Sequence, residues 1–225
     1  MERKRYTIFV AGGSGTRMGG DIPKQFLLLD GRPILQRTIE AFLRADPEMK
    51  VVVVLPKQHF QTWKDLCLQH SFDCPMTLVS GGLTRFHSVR NALAKVPDGA
   101  LVAVHDGVRP LVSPEMVARM FDAMEDARAL VPVMPVTDTL RSLDPSLPDP
   151  DRSKCAAVQT PQIFRSEEIR KAYGCAFETS FTDDASVAAR NGIPLTICEG
   201  ERFNIKITTP EDLVLAEAIL KVRRS

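Results

Sequence analysis

Two rhythms of apolar residues alternate along this chain. Short, nearly uninterrupted β-branched runs occupy residues 6–11, 51–55, 76–80, 101–105 and 130–136. Runs of that length with no polar alternation suit strands covered on both faces, as in a parallel sheet. Between them the spacing turns helical. Leu35, Ile39 and Phe42 share one face, as do Phe86, Val89, Leu93 and Val96, and then Val117, Met120, Phe121 and Met124. Ser113-Pro114-Glu115 supplies an N-cap, a first-turn proline and an acidic first turn, and Thr209-Pro210-Glu211-Asp212 repeats the device. A further short strand is predicted over 204–208. Strand–helix alternation predicts an α/β fold, a doubly wound and mostly parallel sheet, with its ligand site at the carboxyl ends of the strands. One stretch breaks the pattern. Residues 140–155, LRSLDPSLPDPDRSKC, hold three prolines and closely spaced charges with no period. They read either as a surface loop or as a projecting arm, spanning 138–160, that closes a site or docks on a second subunit. Residues 1–225 are expected to form one domain with no neighbouring enzyme fused to it.

Composition narrows the partners. Among 225 residues, 29 Lys and Arg face 28 Asp and Glu. That balance argues against coating nucleic acid or an anionic membrane, tasks that need a cationic surplus. Five cysteines, none in a CxxC pair, suggest reduced thiols rather than a disulfide framework or zinc ribbon. The basic start, residues 1–5, precedes an apolar stretch of only six residues, shorter than the roughly 7–15 of a signal peptide's apolar region. No segment approaches the roughly 18 apolar residues of a membrane span. A cytoplasmic protein is expected.

The candidate chemistry begins after the first predicted strand, at Ala11-Gly12-Gly13-Ser14-Gly15-Thr16-Arg17-Met18-Gly19-Gly20, followed by Pro23-Lys24-Gln25. A glycine-rich turn there lets backbone N–H groups approach phosphate oxygens. The GxGxxG dinucleotide fingerprint fails, because Met18 stands where the third glycine belongs, and no Gly-Lys-Ser/Thr closes a Walker loop. What distinguishes the loop is its two cations. Arg17 can fork across two phosphate oxygens, and Lys24 offers a compact charge to an α-phosphoryl group as pyrophosphate departs.

AGGSGTRMG followed by PKQF resembles the signature of the sugar-phosphate nucleotidyltransferases. Later segments tighten the likeness: Gly81-Gly82 with Arg85 and Ser88, the run His105-Asp106-Gly107-Val108-Arg109-Pro110, Asp138-Thr139, Gln159-Thr160-Pro161-Gln162, Thr182-Asp183-Asp184, and Asn204-Ile205-Lys206-Ile207-Thr208. As an ordered set they resemble the 2-C-methyl-D-erythritol 4-phosphate cytidylyltransferases of the non-mevalonate isoprenoid pathway, over nearly the whole chain. The resemblance implies a Rossmann-like nucleotidyltransferase fold, a divalent cation such as Mg²⁺ as cofactor, and a homodimer in which the arm reaches its partner. It also implies roles. Arg17 and Lys24 would be catalytic. Ala11, Gly12, Gly13, Gly15, Gly81, Gly82, Ser88 and Lys206 would join them around CTP. Arg109, Thr139, Arg152, Thr160, Thr182 and Lys206 would hold a polyol phosphate, and Asp106 would hold the metal.

The residues themselves leave several of these roles open. Asp106 can bind Mg²⁺ or cap a turn. Ser88 precedes a helical stretch and can cap it, while Asp183 and Asp184 can cap another. A lone lysine in a strand, such as Lys206, ordinarily faces solvent. Leu83 stands where the family often carries an acidic residue, and Phe203 where some members carry Asp, so neither receives a role. His59, Trp63, His70 and His87 read as packing or surface residues, and no Ser-His-Asp or Cys-His set indicates a covalent nucleophile. A phosphate monoester is already nucleophilic at neutral pH, so positioning and charge stabilisation would suffice. Three alternatives stand beside the methylerythritol phosphate reading. One is transfer to ribitol 5-phosphate, which shares most of the motifs. Another is a nucleotide-binding protein without turnover, and the third, disfavoured by the broken fingerprint, is a nicotinamide-dependent enzyme.

Overall fold

In the computed structural model, which describes residues 3–13 and 22–223, β1 (Arg5–Val10) lies between β4 (Lys50–Leu55) and β6 (Leu101–Asp106), parallel to both. β5 (Met76–Ser80) extends the parallel set beyond β4. On the other side of β6 come β9 (Gln162–Arg165), antiparallel, then β7 (Ala129–Pro135) and β10 (Thr196–Glu199), with β8 (Ala156–Val158) pairing back on β7. The sheet is mixed but mostly parallel, as the apolar runs predict. A two-stranded ribbon, β2 (Leu28–Leu29) with β3 (Arg32–Pro33), stands apart from it.

Because successive strand side chains point to opposite faces, each inner strand feeds two cores. On one face Phe9, Val53 and Leu55 pack against α1 (Ile34–Ala45), α2 (Phe60–Gln69) and α4 (Pro114–Asp122) through Leu35, Phe42, Trp63 and Phe121. On the other, Ile8, Val52, Val54 and Val104 meet α3 (Arg85–Leu93), α5 (Ser166–Ala172) and α6 (Asp184–Arg190) through Phe86, Ile169 and Val187. A third cluster seats α7 (Pro210–Val222) on Ile34, Val108 and Leu111. Truncating a fully buried aromatic such as Phe9 to alanine removes about 3–5 kcal/mol of packing. That rigidity fixes the strand ends on which the site is built.

The chain runs from β1 outward through β4 to β5, then returns to place β6 on β1's other side. A crevice opens at such a reversal, beyond the carboxyl ends of the diverging strands. Val10 and Asp106 stand opposite each other there in the ladder. Ser113 and Thr209 cap α4 and α7 as expected.

Two local expectations are corrected. Residues 204–208 form no strand. Asn204 is buried and turned onto the Thr160 carbonyl, and Ile207 N–H bonds to the Val108 carbonyl, so the segment crosses the strand ends instead of joining the sheet. Ser88 precedes no helix. It lies inside α3, whose cap is Thr84, accepting from His87 N–H. Residues 140–151 lie outside the sheet with mostly exposed side chains, and their turns are tied by Arg141–Asp149 at 2.6 Å and by Asp144 with Ser146.

Candidate active site

The first hollow, about 450 Å³, lies over the end of β1. Val10, Ala11, Gly12 and Gly13 form one wall, and Lys24 with Gln25 form another. Ala11 is anchored twice: its N–H donates to Val54 O at 3.0 Å, and its carbonyl accepts from buried Gln25 Nε2 at 2.9 Å. Lys24 opens a single 3₁₀ turn whose Phe26 stacks on Trp63 with ring centroids 6.0 Å apart. The lysine therefore stands on a rigid base.

Opposite lie Gly82, Leu83, Thr84 and the start of α3. Ser88 Oγ accepts from Gly82 N–H and donates to the Thr84 carbonyl, both at 3.0 Å, and so holds the turn closed from beneath. Glycine is required at 82 and closely fitted at 81. A Cβ on Gly82 would lie 2.5 Å from His87 Cβ, and one on Gly81 would lie 3.3 Å from Ser88 Oγ. Leu83 stands at the rim of the hollow, almost fully exposed.

A second hollow, about 270 Å³, adjoins the first. Arg109, Gln159, Thr160, Gln162 and Thr182 line it, and Arg85, Asp106 and Lys206 line both hollows. Asp106 is the hub of that shared wall. Its carboxylate lies 3.1 Å from Lys206 Nζ, 3.2 Å from Arg109 Nε and 3.9 Å from Arg85 Nε. Burial would raise its pKa, but the Arg85, Lys206 and Arg109 charges outweigh burial and hold the carboxyl below the usual carboxylate range. Around the first hollow Lys24, Arg85 and Lys206 meet Asp106 alone, and with Asp184 counted behind Arg85 one cation is still in excess, which suits phosphate groups.

Arg109 also donates to Asn204 O at 2.8 Å, and Asn204 Nδ2 donates to Thr160 O at 2.8 Å. This network binds the crossing segment, and Lys206 with it, to the end of β6. Arg85 is held from behind by Asp184, Nη1 to Oδ1 at 2.9 Å and Nη2 to Oδ2 at 2.6 Å. Tyr173 O–H donates to the same carboxylate at 2.6 Å. His105 is fully buried, and burial first of all lowers its pKa to about 3, so its ring is neutral.

A metal must fit this donor set. Among the described residues no three His, Cys, Asp or Glu side chains gather to hold an ion. A single buried, ionised carboxylate suits magnesium, which commonly sits on one or two carboxylates together with substrate phosphates and water. Asp106 fits that role when the triphosphate brings the remaining ligands.

The predicted residues divide clearly. Ala11, Gly12, Gly13, Lys24, Gly82, Ser88 and Lys206 meet around the first hollow, with Gly81 packed behind Ser88. Asp106, Arg109, Thr160, Thr182 and Lys206 meet around the second. Thr139 and Arg152 line neither. Both are exposed, and Arg152 donates to Thr137 O at 2.7 Å within its own arm. Gly15 and Arg17 lie outside the described residues. Sequence reasoning missed the roles of Arg85, His105 and Asp184. The neighbouring Asp183 is indeed the α6 cap, in a capping box with Ser186, and the doubled aspartate concealed that its second member is buried under an arginine.

The chain matches a known protein family over nearly its whole length. The profile of IspD, 2-C-methyl-D-erythritol 4-phosphate cytidylyltransferase, matches residues 6–222. The chain belongs to the IspD family. A 2-C-methyl-D-erythritol 4-phosphate cytidylyltransferase of Porphyromonas gingivalis W83 is 50% identical over 223 residues, spanning 98% of this chain and 99% of that protein. One of Bacteroides thetaiotaomicron is 47% identical over 218 residues, 96% of this chain and all of the relative. The crystal structure of 4-diphosphocytidyl-2C-methyl-D-erythritol synthase from Anaerococcus prevotii superposes with a TM-score of 0.82 at 28% identity, covering 97% of this chain and 96% of that one. That of the IspD cytidylyltransferase from Thermus thermophilus gives 0.75 at 34% identity, covering 98% and 100%. IspD membership covers both hollows, since the matched residues run from β1 into α7.

Proposed function

We propose that this chain transfers the cytidylyl group of CTP to the phosphate of 2-C-methyl-D-erythritol 4-phosphate, releasing pyrophosphate, in non-mevalonate isoprenoid precursor synthesis. The observation that carries the reading is the shared wall: one hollow for a triphosphate and one for a phosphomonoester meet at Asp106, Lys206 and Arg85. The acceptor phosphate approaches from the Thr160–Thr182 side and the α-phosphoryl group from the β1 side. A phosphate oxygen attacks phosphorus, the bond to the leaving pyrophosphate breaks, and no proton need be removed by the protein. Lys24, with Arg17, stabilises charge on the departing group, while Lys206 and Arg109 draw the two anions together. Glycine at 82 lets the turn pack close against α3, and the turn lines the first hollow where a pyrimidine would meet backbone groups. Magnesium bound at Asp106 would neutralise phosphate charge.

The finer assignments rest on supports of their own. Thr139 and Arg152, acceptor residues by resemblance, sit on an exposed arm away from their own chain's hollows, which fits a homodimer in which each arm completes the other's acceptor site. Five free thiols suit the reducing cytoplasm, and no helix among the described residues is long and apolar enough to cross a membrane. A nucleic-acid partner has no charge surplus to attract it.

The test is pyrophosphate release measured over four nucleoside triphosphates and two acceptors. Turnover with CTP and methylerythritol phosphate is expected. A preference for ribitol 5-phosphate would overturn the acceptor assignment, and CTP binding without release would favour a non-catalytic binder.

A further inference from the structure

We propose that His105 is a positioning residue for cytidylyl transfer, locked in its Nε2–H tautomer so that it fixes the Asp106–Arg109 turn from both ends; this rests on the functional reading above. His105 ends no pathway to solvent. Its ring is wholly buried, packed edge-on to Phe9 at 6.2 Å and tilted on Phe42 at 4.8 Å. Its two nitrogens face different partners. Nε2 faces the Arg109 carbonyl at 3.3 Å, and Nδ1 faces Thr160 Oγ1 at 3.0 Å.

A carbonyl oxygen only accepts, so Nε2 carries the proton. Thr160 Oγ1 already accepts Asp106 N–H, so its own proton is the one directed at Nδ1. Nδ1 is therefore bare and accepts from the Thr160 hydroxyl. That hydroxyl has a single proton, and its oxygen also accepts Asp106 N–H at 3.1 Å. The chain of donors runs from Asp106 N–H to Thr160, from Thr160 O–H to His105, and from His105 N–H to the Arg109 carbonyl. It closes on the turn that carries both the carboxylate hub and Arg109. The Thr160 hydroxyl is thereby engaged as a strut of the turn on the wall of the second hollow.

Three measurements decide this. Ring-nitrogen NMR on histidine-labelled wild-type protein should show, for the buried imidazole, a bare Nδ1 and a protonated Nε2. A protonated Nδ1 would overturn the proposal, and no variant has to fold for this test. His105→Phe keeps the aromatic packing and loses both bonds, while Thr160→Val keeps the shape and loses the hydroxyl. Each should lower kcat by on the order of 10–100-fold, as small misplacements of reacting groups do, with the KM for CTP within about twofold of wild type. The double variant should be no worse than the poorer single one, because both remove the same strut. Additive losses, or a Thr160→Val variant that raises only the acceptor KM, would show that Thr160 grips the acceptor directly. His105→Gln, which retains an amide donor towards Arg109, should recover part of the loss. Wild-type protein that turns over no substrate pair would sink the functional reading and leave the tautomer result standing.

Discussion

Arg85 on α3 and Asp184 on α6, ninety-nine residues apart, meet in a two-pronged ion pair of 2.9 and 2.6 Å at the edge of both hollows. Asp184 is completely buried and is shared with Tyr173. Removing one partner of such a pair strands the other charge, which typically costs about 3–5 kcal/mol. Asp184→Asn should therefore lower stability by about that much in urea unfolding. Arg85→Lys keeps the charge and loses the fork, so kcat/KM for both substrates should fall on the order of tenfold or more. Wild-type kinetics in Arg85→Lys would show that the pair only braces the helices.

Lys24 stands on the Phe26–Trp63 stack and faces the first hollow. Losing one preorganised charge at a departing phosphate typically costs on the order of 10²–10³ in rate. Lys24→Ala is expected to lose turnover in that range with its fold intact by circular dichroism. Unchanged kinetics would refute the role.

Arg152 offers a test of shared sites. Arg152→Ala should weaken the acceptor and leave CTP affinity nearly unaltered, measured by titrating each substrate in turn. If two chains share sites as proposed, mixing the impaired Lys24→Ala and Arg152→Ala subunits and assaying at low acceptor concentration should, after exchange, restore activity in those sites that draw an intact residue from each chain. No recovery from verified mixed dimers would place Arg152 in its own subunit's site or in none.

Asp106 predicts the acid behaviour. Its folded pKa lies below the ordinary value of 3.8, because the Arg85, Lys206 and Arg109 charges outweigh its burial. Its ionised form therefore adds stability that is present above about pH 4 and lost as pH falls through the lower folded value. Asp106→Asn lacks that contribution at every pH. Thermal unfolding from pH 7 downward should show the gap between wild type and variant narrowing below about pH 4. A constant gap would mean that the cations do not hold the carboxylate in the folded protein.

Much of the scaffold is legible in the sequence because it depends on local periodicity. The β-branched runs became β1, β4, β5, β6 and β7, displaced by at most a residue or so at their ends, and the Ser-Pro-Glu and Thr-Pro-Glu-Asp caps formed where written. Non-local geometry was not legible. Nothing near Asn204 announces that its side chain will seek the Thr160 carbonyl across the strand ends, and that contact is what keeps 204–208 from pairing as a strand. Arg85 and Asp184 each look ordinary in their own segments. His105 sits in an apolar run where its ring passes for core filling, and only the positions of Thr160 and Arg109 reveal its two bonds. Motif order located both pockets, whereas the third dimension was needed to see that they share a wall.

That wall has a stereochemical consequence. If donor and acceptor occupy the two hollows that meet at Asp106, as proposed, the incoming oxygen and the departing pyrophosphate lie on opposite sides of phosphorus in one displacement. CTP carrying one sulfur at its α-phosphorus, as a single diastereomer, should accordingly give a cytidine diphosphate-linked product of reversed configuration at that phosphorus, turned inside out once like an umbrella.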